Sequence, residues 1–143
     1  MGMSGQYGRS FSSKLIQDGK YEEAIVEAAK AIAQEDDEPE HFVDRATALV
    51  HLDRNAEAVQ DFVRALQLDG SAGILESDLI DDAYFSALLA AARNDAESDV
   101  DAGCARLQTY LETLPAGRHV DDVRTWTLRL RGQLKSEFVK VRD

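Results

Sequence analysis

The sequence predicts an all-α fold built from helical hairpins and closed by a last helix at the C-terminus. Three observations predict it. First, a motif recurs at a spacing of 34 residues: residues 19–34 read GKYEEAIVEAAKAIAQ and residues 53–68 read DRNAEAVQDFVRALQL, which sets Ala24 on Ala58, Val26 on Gln60, Ala28 on Phe62 and Ala31 on Ala65. Second, apolar residues return every three or four positions along most of the chain, the period of a helix. Third, no stretch of useful length alternates as a strand does. A fixed period in this range marks a stacked repeat array, and such arrays offer a surface for holding another chain rather than a pocket for chemistry.

Taken in order, residues 1–7 are rich in Gly and Ser and read as a flexible N-terminus. A helix follows from Gly8 to about Gln17, with Phe11, Leu15 and Ile16 on one face, and Asp18-Gly19 breaks it. The second runs from about Tyr21 to Gln34 with the stripe Ala24, Ile25, Ala28, Ala29 and Ile32. Glu35 to Glu38 form an acidic break, and Pro39 suits the first turn of a third helix. That helix, to about residue 52, turns Phe42, Ala46, Leu49 and Val50 inward. Asn55 is the expected N-cap of the fourth, which buries Ala58, Val59, Phe62, Val63 and Leu66 and stops at Gly70. Ser77 is the expected cap of a longer, alanine-rich fifth helix to about Arg93, with Leu79, Ile80, Ala83, Ala87, Leu88 and Ala91 along one face. Asn94 to Asp99 form a polar linker. A sixth helix carries Val100, Cys104, Leu107 and Leu111 and stops at Leu114-Pro115-Ala116-Gly117. The seventh, about 120–141, sets Val123, Trp126, Leu130, Leu134, Phe138 and Val141 in a stripe.

These residues resemble the tetratricopeptide repeat (TPR) family, whose helical hairpins of about 34 residues stack side by side. Gly19, Tyr21 and Ala24 match the start of the family's second helix, and Ala28 and Ala31 continue it. Asp36 stands where the family often has proline. The second copy matches at Ala46, Ala58, Phe62 and Ala65 but has Asp53 and Asn55 in place of the Gly and Tyr. The third departs further, with a lengthened first helix, though Pro115 closes it in the family manner. The resemblance implies a right-handed helical-hairpin solenoid of about three TPR-like repeats plus a C-terminal capping helix. It would be a single domain over 8–143, with repeats at about 5–38, 39–72 and 76–116 and the cap at about 120–141. Alanine at helix crossings serves such a stack physically, because it lets the two backbones approach to the ~8–10 Å of close packing.

The 143 residues carry a net charge of −11 and are 44% hydrophobic, enough for a real core. Residues 1–34 are balanced, residues 35–102 hold eighteen acids against Arg45, Arg54, Arg64 and Arg93, and residues 103–143 are net basic. So acidic a centre repels nucleic acid and anionic lipid. A lone cysteine, Cys104, excludes an internal disulfide and reads as a small buried hydrophobe. No apolar run reaches the ~20 residues of a membrane span, and the N-terminus has neither a signal-peptide stretch nor, with Gln6, a myristoylation signal. The cytoplasm is the expected compartment.

No catalytic set emerges. His41, His51 and His119 are scattered, and no HExxH, phosphate loop, cysteine pair or nucleophile elbow occurs. The acidic run Asp95, Glu97, Asp99, Asp101 lacks the central Gly and terminal Glu of a calcium loop, and reads as a solvated linker with acids suited to a helix start. The expectation is therefore no enzyme, no cofactor and no metal. The TPR resemblance implies instead that the first helix of each repeat lines a concave groove for a partner peptide. Its residues here are Arg9, Ser13 and Gln17, then Glu40, Val43, Asp44, Thr47 and His51, then Asp81 and Tyr84 with Asp78, Phe85 and Leu88 beside them. The Lys/Asn/Arg clamp of the carboxylate-binding subclass is not reproduced. An acidic groove favours a basic or amphipathic peptide by charge complementarity, so an adaptor or scaffold is expected. A self-associating structural protein that uses its basic last helix, as a possible homodimer, is the other reading.

Overall fold

A computed structural model describes residues 10–70 and 77–132, less the side chain of Ser77. The described residues form seven α-helices and no strand: α1 Phe11–Gln17, α2 Tyr21–Gln34, α3 Pro39–His51, α4 Asn55–Asp69, α5 Ser77–Ala96, α6 Val100–Thr113 and α7 Val120–Leu130. The chain packs as two compact units, Met1–Glu76 and Ser77–Asp143.

In the first unit each helix packs on the next, and α1 also reaches α3. Small residues make the close approaches: Ala24, Ala28, Ala46, Ala48, Ala58 and Ala65 are all fully buried, with Phe62, Phe42 and Leu49 filling the space between. Leu15, Ala24 and Ala48 form one cluster, edged by Ile16, Tyr21 and Ile25. Arg45 of α3 donates through Nε and Nη2 to the two carboxylate oxygens of Asp61 on α4, at 2.8 and 2.9 Å, so this buried acid is paired in the bidentate geometry that charge burial requires.

The 34-residue period reappears in the backbone. The α1–α2 turn is closed by Gly19 N–H to Ile16 carbonyl at 3.0 Å and Lys20 N–H to Leu15 carbonyl at 2.8 Å; the α3–α4 turn is closed by Asp53 N–H to Val50 carbonyl at 2.9 Å and Arg54 N–H to Leu49 carbonyl at 2.9 Å. Each of these positions is its counterpart displaced by one period. Gly19 at φ 77° and Asp53 at φ 61° both occupy the left-handed region, which glycine enters freely and aspartate tolerates. The turn has thus kept its shape through the change from Gly to Asp. It also explains why Asn55 is not the N-cap of α4. Arg54 takes the cap position without a side-chain bond, and the Asn55 amide donates instead to Asp53 Oδ1 at 3.0 Å. Pro39, by contrast, opens α3 at its first turn as expected, behind Glu38.

On α1 the inward face is rotated from the expected one: Phe11 is 61% exposed and Ser12 is buried. The reason is polar. Ser10 caps the helix by accepting from Ser13 N–H at 3.0 Å, and the Ser10 and Ser12 hydroxyls both donate to Asp44 Oδ2 of α3, at 2.7 and 2.9 Å. Turning Ser12 inward satisfies it there, and Phe11 is carried outward. The part of the first helix expected before Ser10 lies outside the described residues.

In the second unit α5 packs on α6 and α6 on α7. Helix α5 runs three residues past the expected end and shortens the linker. Gly103 of α6 sits where α5 crosses: a Cβ there would lie 2.6 Å from the Ala92 carbonyl oxygen and 2.8 Å from Ala96 Cβ. Cys104 is buried as expected, with its Sγ 3.9 Å from the Thr127 carbonyl oxygen of α7. Leu79, expected inward, is 62% exposed, because the buried face of α5 is set by Ile80, Tyr84, Phe85, Ala87, Leu88, Ala91 and Ala92. The expected cap at Ser77 rests on a side chain outside the described residues. The last helix, expected to run to about 141, stops at Leu130. Arg131 N–H closes on Thr127 carbonyl, and Gly132 at φ 83° turns the chain out of the helix, as a glycine just past a helix end does. Residues 133–143 lie outside the described residues.

Candidate functional site

Three places carry more than packing. The first is the face shared by α1 and α3. The Ser10/Ser12–Asp44 bonds pin the two helices together and leave a row of reachable side chains: Gln17, Glu40 and His51 are exposed, and Ser13, Val43 and Thr47 are half-buried. Asp44 is occupied by the two serines, so it shapes this face rather than offering a free carboxylate. The Thr47 hydroxyl donates to the Val43 carbonyl at 2.8 Å, and His51 Nδ1 lies 2.9 Å from the Thr47 carbonyl oxygen. The His51 ring stacks on Tyr21 of α2 at 4.4 Å between centroids. Arg9 lies outside the described residues.

The expected contribution from α5 is different. Tyr84 is fully buried and Asp81 is 6% exposed, and Phe85 and Leu88 are buried with them, so these residues belong to the interior of the second unit and not to a ligand-facing surface. Of the group, Asp78 alone is exposed.

What they build is the second place, a polar clasp that sequence reasoning missed. Tyr110 of α6 donates its hydroxyl to Asp81 Oδ1, and Arg118 N–H donates to Asp81 Oδ2 at 2.8 Å. The Tyr110 hydroxyl in turn accepts from His119 N–H at 3.0 Å. The His119 ring lies between two carboxylates, Nε2 at 2.7 Å from Asp82 and Nδ1 at 2.8 Å from Asp122, and stacks flat on Phe85 at 4.4 Å. Arg118 Nη1 reaches Asp82 at 3.2 Å. The clasp ties the α6–α7 turn to the first turns of α5. Gly117 lets the turn pass close: a Cβ there would overlap the Tyr110 hydroxyl. Burial, reinforced by the bond to Asp81, pushes the Tyr110 phenol well above its ordinary range, so it stays a donor. The bonds that reach α5 join residues 29 to 37 positions apart in sequence, and no local pattern connects them.

No family model and no curated protein matches the chain. Among the described residues, no three or more His, Cys, Asp or Glu side chains are placed to hold a metal ion, and no helix is long and apolar enough to cross a membrane.

The clasp has a pH signature. Burial lowers the His119 pKa, but the hydrogen bonds its ring donates to Asp82 and Asp122 together outweigh it and raise the group above 6.5. A raised folded value means the imidazolium favours the fold. That stabilisation is complete below the ordinary pKa of about 6.5 and fades as pH climbs through the folded value. The urea midpoint of the second unit, followed by the fluorescence of Trp126, is expected to fall as pH rises above about 6.5, and His119→Gln is expected to flatten that slope. An unchanged slope in the variant would assign the pH dependence to other groups.

The third place is a groove of about 370 Å³ between α6 and α7, lined by Gln108 and Leu111 and by Val120, Asp121, Val123, Arg124, Thr127 and Leu128.

Proposed function

We propose that the chain is a protein-interaction module whose first unit is a pair of TPR-like hairpins, and that it holds a peptide segment of a partner along α1 and α3. The observation that carries this reading is the α1–α3 face itself. Two helices one hairpin apart lie against each other, locked by Ser10, Ser12 and Asp44, and present Ser13, Gln17, Glu40, Val43, Thr47 and His51 in one row. The repeated turn at Gly19 and Asp53 supports the TPR-like part, since both turns close with the same two backbone hydrogen bonds 34 residues apart. Prealigned side chains on rigid helices bind a peptide at lower ordering cost than a loop would. Glu40 and the acidic residues around it favour a basic or amphipathic ligand, through charge complementarity that salt weakens.

Selection of a random-peptide phage library on the purified chain tests this. The expected result is enrichment of basic, amphipathic sequences whose capture falls at least tenfold with Val43→Arg and with Glu40→Lys, while the far-ultraviolet circular dichroism of both variants is unchanged. Enriched peptides that bind both variants as well as the parent would remove α1 and α3 from the site.

A further inference from the structure

We infer that Arg93, Trp126 and Arg129 form a site for an acidic peptide segment, one that carries carboxylates at every second position of an extended chain. The site lies wholly within the second unit and shares no residue with the α1–α3 face, so either can fail without the other.

Two cations meet on one ring. The guanidinium carbon of Arg129 lies over the Trp126 indole at 4.7 Å from the ring centroid, and that of Arg93 at 5.2 Å. Arg93 comes from the last turn of α5 and Arg129 from the last turn of α7. Both arginines are exposed and the indole is half-buried. Attraction to the ring holds a guanidinium through its charge and uses none of its five N–H donors. Among the described residues neither arginine meets a carboxylate or donates a hydrogen bond. By contrast, Arg45, Arg54, Arg106, Arg118 and Arg131 each hold an acid. Arg64 and Arg124 also lack one, but among the described residues no ring gathers either with a second cation.

The pair selects its ligand by charge and shape. Both cations lie so near one centroid that they stand within a Debye length of each other, about 10 Å at 0.1 M salt, and repel. A carboxylate on each relieves that repulsion. The guanidinium fork accepts a carboxylate through two parallel N–H···O bonds, and a side chain already held on a ring has less freedom to lose when it binds. In an extended peptide, alternate side chains share a face and stand about 7 Å apart, a spacing that lets two acids reach the two guanidiniums. The rest of the chain decides between a short segment and a long polyanion. The net charge is −11, so a nucleic acid that runs past the pair meets repelling acids, whereas a short peptide is screened from them by salt.

Trp126 is the chain's sole tryptophan and reports on the site directly. An acetylated, amidated Ala-Glu-Ala-Glu-Ala peptide is expected to change its fluorescence saturably. Arg93→Gln and Arg129→Gln are each expected to raise the half-saturating concentration about tenfold, the effect of losing a charged hydrogen-bonding partner, with unchanged far-ultraviolet circular dichroism. Arg129→Lys, which keeps the charge and loses the fork, is expected to fall between. NMR of the unmutated protein gives a second readout: the peptide is expected to shift the Nε–H signals of Arg93 and Arg129 and spare that of Arg106, which already donates to Asp95. Unmoved signals from Arg93 and Arg129, or an unchanged half-saturation in both Gln variants, would overturn the proposal. So would an equal response to Ala-Gln-Ala-Gln-Ala or to inorganic phosphate at the same concentration, or tighter binding of a short oligothymidylate.

Discussion

Gly103→Ala is expected to destabilise the second unit by about 1–3 kcal/mol, the range for forcing extra volume into a filled crossing. Helix propensity alone argues the other way, because alanine is favoured over glycine inside a helix by about 1 kcal/mol. Geometry decides between them. The new Cβ would lie 2.6 Å from a backbone oxygen of α5 and 2.8 Å from Ala96 Cβ, and neither atom can swing aside as a long side chain would. Helix α6 must move off α5 as a whole. The denaturation midpoint, read by Trp126 fluorescence, measures the loss, and Gly103→Val is expected to be worse because its branches meet the same wall. A stabilised Gly103→Ala protein would mean that α5 and α6 cross elsewhere.

Tyr110→Phe is the second large effect, expected at about 2–4 kcal/mol from two hydrogen bonds lost at a buried site. The ring volume stays, so no cavity opens and the loss is polar. Asp81 keeps the Arg118 N–H but loses the phenol, while the His119 N–H loses its acceptor. A buried carboxylate stripped of a donor costs more than the donor's net contribution was worth. Tyr84→Phe is the control in the same unit. It removes one bond, to the Thr113 hydroxyl at 3.0 Å, and is expected to cost about 0.5–1.5 kcal/mol. Equal losses in the two variants, by urea denaturation, would deny the clasp its role.

The contrast between these two tyrosines shows where the sequence is readable. Helices α2 to α4 are legible because their packing is local and repeated: Ala24 and Ala58 hold the same crossing 34 residues apart, and Pro39 and Gly70 mark ends by backbone chemistry alone. Helix α5 has apolar residues on several sides, so spacing does not choose its face. Asp81 and Tyr84 look like surface residues in the sequence, and only partners some thirty positions onward turn them inward. Phe11 errs the other way: two serines paired with a distant aspartate outrank one aromatic. In the last helix the apolar stripe continues through Gly132, and one glycine is a small mark against a periodic pattern until its dihedral is known. On the candidate face, Glu40 and His51 are legible as exposed because they sit opposite Leu49 on α3, and Gln17 because it sits opposite Leu15 on α1, whereas the commitment of Asp44 to Ser10 and Ser12 is not.

Cys104 is the chain's sole thiol, shut in against the Thr127 carbonyl of α7. A thiol reagent in solution meets it only when α7 departs from α6. Its modification rate at low reagent is then the product of the opening equilibrium and the chemistry, and at high reagent it is the opening rate itself. The molecule thus holds a built-in clock for the breathing of α7 against α6, legible without a label.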